Sequence, residues 1–214
     1  MAAPCLSPIY ACAIRITRLF EDGEPDFGAD AYSIHVPVSI SQTVTTFDTA
    51  PIQQTNGCGN ICVNVPGRST VTGYEIVPTF CEDDFELWAA ITGGTTVTVG
   101  GLITGWAMPD PSVAPPPVLV EAWQQTRLGD NVGIINGVQQ YKHHVWPYVT
   151  FVQGDQTMEN SNTLIPWTGT TSVNNQIGAT GPFGDWPMAV NGPKGEFYTA
   201  TLPTEFCGMV SLAS

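Results

Sequence analysis

Between Tyr32 and Ile40, apolar and polar residues take turns. Tyr32, Ile34, Val36, Val38 and Ile40 fill every second position, with Ser33, His35, Pro37 and Ser39 between them. A period of two sends the two sets to opposite faces of a β-strand. Pro37 has no N–H to give to a ladder, so this strand is expected at a sheet edge or at a bulge. Residues 11–20 alternate more weakly, Ile14 and Ile16 against Arg15 and Thr17, as an edge or half-buried first strand does. Strand patterns recur at 69–80, with Tyr74, Ile76 and Phe80 on one face, and at 95–99 and 102–106, a hairpin around Gly100-Gly101. Others cover 118–126, 141–152 with an interruption at Pro147, 158–168 and 196–202. The Pro-rich stretch 109–117 and the turn-rich stretch 128–139 connect them.

Only one segment turns with a helical period. Phe85, Trp88 and Ala89 recur at i, i+3 and i+4, with Leu87 and Ile91 beside them; Glu82, Asp83 and Asp84 supply a negative first turn, and Gly93-Gly94 a stop. A helix this short is not stable alone. Phe85, Trp88, Ala89 and Ile91 are therefore expected to pack it against the sheet. Residues 41–68, by contrast, are rich in Thr, Gln, Asn and Gly with few large apolar side chains, which predicts a long loop or arm. Such a segment in a compact domain is usually functional.

Composition agrees with the pattern. Val, Ile and Thr make up 59 of the 214 residues against 9 Leu, a strand-forming balance, and the 22 Gly and 18 Pro punctuate turns without a repeat. The length fits one domain, 1–214. The expected fold is mainly β: an antiparallel β-sandwich or barrel of about eight strands with one flanking α-helix.

Charge narrows the function. The net charge is −13, only 12% of residues are charged, and the six Lys and Arg are scattered. A nucleic-acid reader needs clustered cations to displace phosphate counterions. No apolar run approaches the ~20 residues that span a bilayer. The first twenty residues, with Pro4, Pro8, Arg15 and Arg18, do not read as a signal peptide, so the chain is expected to be made and kept in a cytoplasm.

Site chemistry is sparse. Cys5, Cys12, Cys58, Cys62, Cys81 and Cys207 read as free, mostly buried thiols; the three-residue spacer of Cys58-Gly-Asn-Ile-Cys62 suits neither a redox dithiol nor a full zinc site, and a loop-closing disulfide is the alternative there. His143 and His144, adjacent on a strand, point to opposite faces and cannot easily share one ion, and His35 reads as solvated. Asp22, Glu24, Asp26 and Asp30 resemble a calcium loop but lack its turn glycine and closing acid, leaving a solvated acidic turn. No nucleophile elbow, phosphate loop or zinc-protease motif occurs. No catalytic residue, metal or cofactor is expected, and no enzyme.

Two stretches carry a resemblance. One is Tyr74-Glu75-Ile76-Val77-Pro78-Thr79-Phe80-Cys81-Glu82-Asp83-Asp84-Phe85-Glu86-Leu87-Trp88-Ala89-Ala90-Ile91-Thr92-Gly93. The other runs from Val118-Leu119-Val120-Glu121-Ala122-Trp123 through His144-Val145-Trp146-Pro147-Tyr148-Val149 and Gln156-Thr157-Met158-Glu159-Asn160 to Gly181-Pro182-Phe183-Gly184-Asp185-Trp186-Pro187. In order and spacing these resemble the major tail (tail tube) proteins of long-tailed, siphovirus-like bacteriophages of the actinobacteriophage type, over roughly 69–187. The resemblance implies a structural virion protein, assembled in the bacterial host cytoplasm. Its copies self-assemble as homohexameric rings that stack into the tail tube, meet other tail proteins, and pass genome DNA down the lumen at ejection without binding it specifically. Six copies at −13 each carry a formal −78 per ring, which would repel the DNA backbone where it faces the lumen. The arm at 41–68 is then the candidate inter-ring contact, through Thr45, Phe47, Ile52, Ile61, Val63 and Arg68, because an extended segment can add a strand to a neighbour. The competing reading is a secreted or surface β-sandwich binding module, an adhesin or carbohydrate binder, with Trp106, Trp123, Trp167 and Trp186 as platforms.

Overall fold

A computed structural model of the chain describes residues 7–27, 32–80, 83–128, 131–135, 137–155 and 164–203. In chain order the elements are β1 (Ser7–Arg18), β2 (Tyr32–His35), β3 (Ser39–Thr49), β4 (Ile52–Thr55), β5 (Ile61–Val65), β6 (Arg68–Phe80), α1 (Phe85–Thr92), β7 (Thr95–Val99) and β8 (Leu102–Ala107). They continue with β9 (Val118–Leu128), β10 (Asn131–Val132), β11 (Ile134–Ile135), β12 (Val138–Gln139), β13 (Tyr141–Gln153), β14 (Ile165–Thr171) and β15 (Gly195–Thr199). The protein is mainly β, with one helix among the described residues. Its principal sheet is antiparallel, in the order β2-β1-β9-β13-β14-β6-β3; β10 adds to β9, and β15 adds to β13. The tail of the 158–168 strand pattern appears as β14, while its start and Glu82 lie outside the described residues.

The sheet curls without closing into a barrel. Pro37 explains both facts. The alternation at 32–40 does not form one strand: it breaks at Val36-Pro37-Val38, so that β2 pairs with β1 at one edge and β3 pairs with β6 at the other. A link of three residues spans at most about 14 Å between flanking Cα atoms, so the two edges approach each other at this corner. Val38 N donates to Thr79 O at 2.8 Å, fixing the crossing.

Curling gathers one apolar face around α1. Ile14, Ile16, Val118, Val120, Ala122, Trp146, Val149, Phe151, Ile165, Trp167, Ile76 and Phe80 meet Leu87, Trp88 and Ile91 in the main core. Trp88 stacks on Trp167 at 4.9 Å and meets the edge of Phe80 at 5.3 Å. Trp88, Ala89 and Ile91 are buried, and Phe85 is half-buried against the same cluster. The helix begins three residues later than its acids suggest. Asp84 is the N-cap, its Oδ1 accepting from Glu86 N and Leu87 N at 3.0 Å each, so Asp83 lies outside and Glu86 is the acid of the first turn. Gly93 closes the other end at φ 75°.

The opposite face of β1, β9 and β13 is covered too. The Gly/Pro-rich segment 172–194 lies on it, with Trp186 and Val190 against Leu19, Leu119 and Val145. This corrects the half-buried reading of β1. It is an interior strand, paired on both sides, and its polar side, Arg15 and Thr17, is as buried as Ile14 and Ile16. Strand β13 runs through Pro147, with a register shift against β9 between Trp146 and Val149. The freed Pro147 carbonyl accepts from Asn174 Nδ2 at 3.1 Å, which also donates to Gly23 O at 2.8 Å. The acidic turn is thereby tied to the sheet.

Candidate assembly surface and buried charge network

Residues 41–68 are not an irregular loop. They are mostly strand: β3 pairs with β6, β4 with β5, and every residue between 41 and 72 is exposed. The Thr-rich composition suits strands, and a two-stranded ribbon satisfies its backbone without a core. Thr49 pairs with Arg68 and Ile52 with Val65, the same register on either side of a break at Pro51 and Pro66, where no N–H is available. The arm is thus one long ribbon growing out of the sheet.

Its two faces differ. Counted by twos along the register, Val44, Val71, Ile52, Val65 and Val63 fall on the face that carries Ile40 and Ile76 into the core. Phe47, Thr45 and Arg68 fall on the other. By the same count Gln42, Thr46, Asp48 and Ser69 share this face, so the apolar stripe of the core is interrupted at the Asp48–Ser69 pair and resumes on the arm at Ile52 and Val65, where no described residue covers it. Of the six expected contact residues, all are exposed, Phe47 at 61%, Ile52 at 55% and Ile61 at 56%. Only Ile52 and Val63 share the apolar face; Ile61 lies beyond a bulge at Thr55. Val44, Val65 and Val71, missed in the sequence, complete it. β3 is also the last strand of the sheet. Between Ser39 and Phe80 only Asp48, Arg68 and Glu75 are charged, so this edge lacks the charges that usually protect one. A second exposed hairpin, β7–β8, carries Val97, Val99, Leu102 and Ile103.

Behind the sheet lies a network that the sequence reading did not find. Arg15 Nε donates to Glu121 Oε2 at 2.7 Å and Arg15 Nη2 to Asp185 Oδ2 at 2.8 Å. The Trp186 indole donates to Glu121 Oε1 at 2.8 Å, and His143 Nε2 stands 3.1 Å from the same oxygen. The guanidinium lies 3.6 Å above the Phe183 ring centroid. Burial alone would raise the Glu121 carboxyl, but Arg15 and His143 beside it hold it down, to about 2. For Arg15, burial is likewise outweighed by Glu121 and Asp185, which keep it protonated. The signal available in the sequence was a lone acid in Val118-Leu119-Val120-Glu121-Ala122-Trp123 and a lone cation in Ala13-Ile14-Arg15-Ile16. Two isolated opposite charges in apolar strands must find each other.

The histidines are structural. His143 is buried and stacks on Trp123 at 4.1 Å. His144 faces the other way: its Nε2 is 2.7 Å from Gln124 Oε1 and its Nδ1 3.2 Å from Glu196 Oε1. Burial pushes this imidazole down to about 4, with Lys194 and Lys142 adding to the shift against Glu196. His35 is not solvated. Its Nε2 bonds Ser33 Oγ at 2.8 Å and lies 3.3 Å from Asp84 Oδ2, linking the β2 edge to the helix cap.

Among the described residues no three His, Cys, Asp or Glu side chains gather as a metal site. In the acidic turn, Asp22 Oδ1 accepts from Glu24 N at 3.1 Å and Asp26 lies 3.8 Å from Arg18; Asp30 is outside the described residues. Cys12 is half-buried, Cys58 and Cys62 are exposed rather than buried, and Cys5, Cys81 and Cys207 are outside the described residues. A cleft of about 780 Å³ opens between α1, Arg18 and Pro115-Pro116-Pro117. Among the described residues no helix is long and apolar enough to cross a membrane. No protein-family model matches the chain, and no curated protein matches it.

Proposed function

We propose that this chain is a structural subunit that assembles with copies of itself, as a tail tube protein of a long-tailed bacteriophage does, in stacked hexameric rings through which genome DNA passes. The observation that carries the reading is the arm. Apolar residues leave the core along β3 and β6 at Val44 and Val71 and recur, exposed, on the same face at Ile52, Val63 and Val65 beyond the Asp48–Ser69 pair, and Asp48 is the single charge of this edge strand. Monomers seldom tolerate such an edge; subunits that add strands to one another require it. The low charge density fits surfaces that neighbours cover. The tryptophans that a glycan-binding module would present support that alternative poorly, since Trp123, Trp167 and Trp186 are buried and Trp106 packs against the core.

The test is excision of the arm. Thr46 and Val71 are cross-strand partners, so residues 47–70 can be replaced by an Asn-Gly turn. The shortened chain is expected to fold and stay monomeric, whereas the full chain forms rings or tubes by negative-stain imaging at high concentration. Tubes from the shortened chain, or a full chain that remains monomeric at every concentration, would overturn the assignment.

A further inference from the structure

The tip of the arm carries two thiols in a defined frame. Asn56 organises the turn: its Oδ1 accepts from Cys58 N at 3.0 Å and Asn60 N at 2.9 Å, its carbonyl accepts from Gly59 N at 2.9 Å, and its N–H donates to Asn60 O at 2.8 Å. Gly59 takes the left-handed conformation, φ 83°, that completes the turn. Cys58 therefore sits in the turn itself. Cys62 is the extra residue of the bulge between the Thr55–Ile61 and Gln54–Val63 pairs, and its Sγ donates to Asn60 O at 3.6 Å. Both thiols are exposed and unbonded.

A bond between these two sulfurs within one chain is opposed by this frame. From Ile61 the chain runs on as strand at about 3.3 Å per residue, carrying Cys62 away from the turn. A disulfide needs Cα atoms within about 7 Å. Closing it would require the pairs at Asn56–Asn60 and Thr55–Ile61 to open.

We propose that Cys58 and Cys62 are a covalent cross-linking site between copies of this chain, Cys58 of one arm bonding Cys62 of the next. The inference rests on the arm meeting a second copy. The chemistry is thiol–disulfide exchange with a small-molecule disulfide oxidant. The Cys58 thiolate attacks one sulfur of the oxidant and expels the first thiol. The Cys62 thiolate of the neighbour then attacks the Cys58 sulfur and expels the second. Two protein thiols are oxidised to one disulfide, and one oxidant disulfide is reduced to two thiols. A subunit with two such thiols can bond two neighbours and be extended into a chain. An assembly whose subunits all carry only one of them lacks the partner thiol and is not cross-linked.

The assembled full-length protein is treated with oxidised glutathione, its remaining thiols are capped, and it is run on a denaturing gel without reductant. Wild type is expected to give a ladder beyond the dimer that collapses on reduction. Cys58→Ser and Cys62→Ser each remove one partner from every subunit, so each single variant, like the double variant, is expected to stay monomeric. A wild-type monomer that has lost both thiols to an internal bond overturns the proposal, as does a ladder that persists in the double variant. Imaging the reduced samples separates the two levels. Rings or tubes without a ladder overturn the cross-link alone, and absence of any assembly overturns the functional reading with it.

Discussion

Arg15 and Glu121 are direct cross-strand partners on β1 and β9, joined at 2.7 Å, and Glu121 is wholly buried. The pair anchors Asp185 and Trp186, so one ion pair clamps segment 172–194 onto the back of the sheet. Glu121→Gln keeps an acceptor for the indole but leaves Arg15 with a partly exposed Asp185 as its remaining carboxylate. The expected loss is about 3–5 kcal/mol. Replacing both partners, Arg15→Met with Glu121→Leu, removes the buried charges and leaves an unpaired indole N–H, which costs about 1–3 kcal/mol. Denaturant unfolding at pH 7 checks the order; a double variant less stable than the single one would refute the clamp.

Acid should unfold the protein in two stages. The His144 imidazole falls from 6.5 to about 4 in the folded chain, so below 6.5 the unfolded state takes up the proton first and stability drops as pH falls toward 4. Glu121 falls from 4.5 to about 2, so its contribution is present above 4.5 and is lost between there and 2, on the order of 3 kcal/mol. Glu196, held down to about 2 by Lys142 and Lys194, acts in the same lower window. Unfolding free energies at pH 7, 5 and 3 should decline at each step. A flat profile from 7 to 3 would contradict the buried network.

Gly181 and Gly184 share a left-handed backbone, φ 72° and 70°, yet differ in surroundings. A Cβ on Gly181 would meet the Trp186 ring at 2.5 Å, while one on Gly184 meets nothing within 4 Å. Gly184→Ala should cost only the backbone strain, about 1–2 kcal/mol. Gly181→Ala should cost more and shift Trp186 fluorescence as the ring is driven from its place. Equal losses at the two sites would mean that Trp186 does not rest on Gly181.

Trp88→Ala removes the ring that joins α1 to Trp167 and Phe80. A loss of about 3–5 kcal/mol is expected from the cavity left between helix and sheet. Thermal or denaturant unfolding measures it, and a loss under about 1 kcal/mol would indicate a helix not held by this packing.

The local pattern made much of the fold readable. The helix with its Gly93 cap, the β7–β8 hairpin and strands β6, β9 and β13 follow from period and punctuation. What stayed hidden were consequences of distance in the chain. The strand pattern at 32–40 looks continuous because alternation does not say with whom a residue pairs; Pro37 hands the chain from one edge to the other. The burial of Arg15 could not be seen without Glu121, 106 positions away. The segment was legible as a loop or arm but not as a paired ribbon, since Thr and Gln suit both a turn and a solvated strand. Its apolar face emerges only when β3 and β6 are read in register.

That register has a mechanical meaning. β3 and β6 pass from the body into the projecting ribbon without a hinge, and β6 is bonded along its inner length to β14. Tension applied at Asn56 would travel down both rails and load the β6–β14 ladder lengthwise, so that its rungs resist together instead of opening one after another.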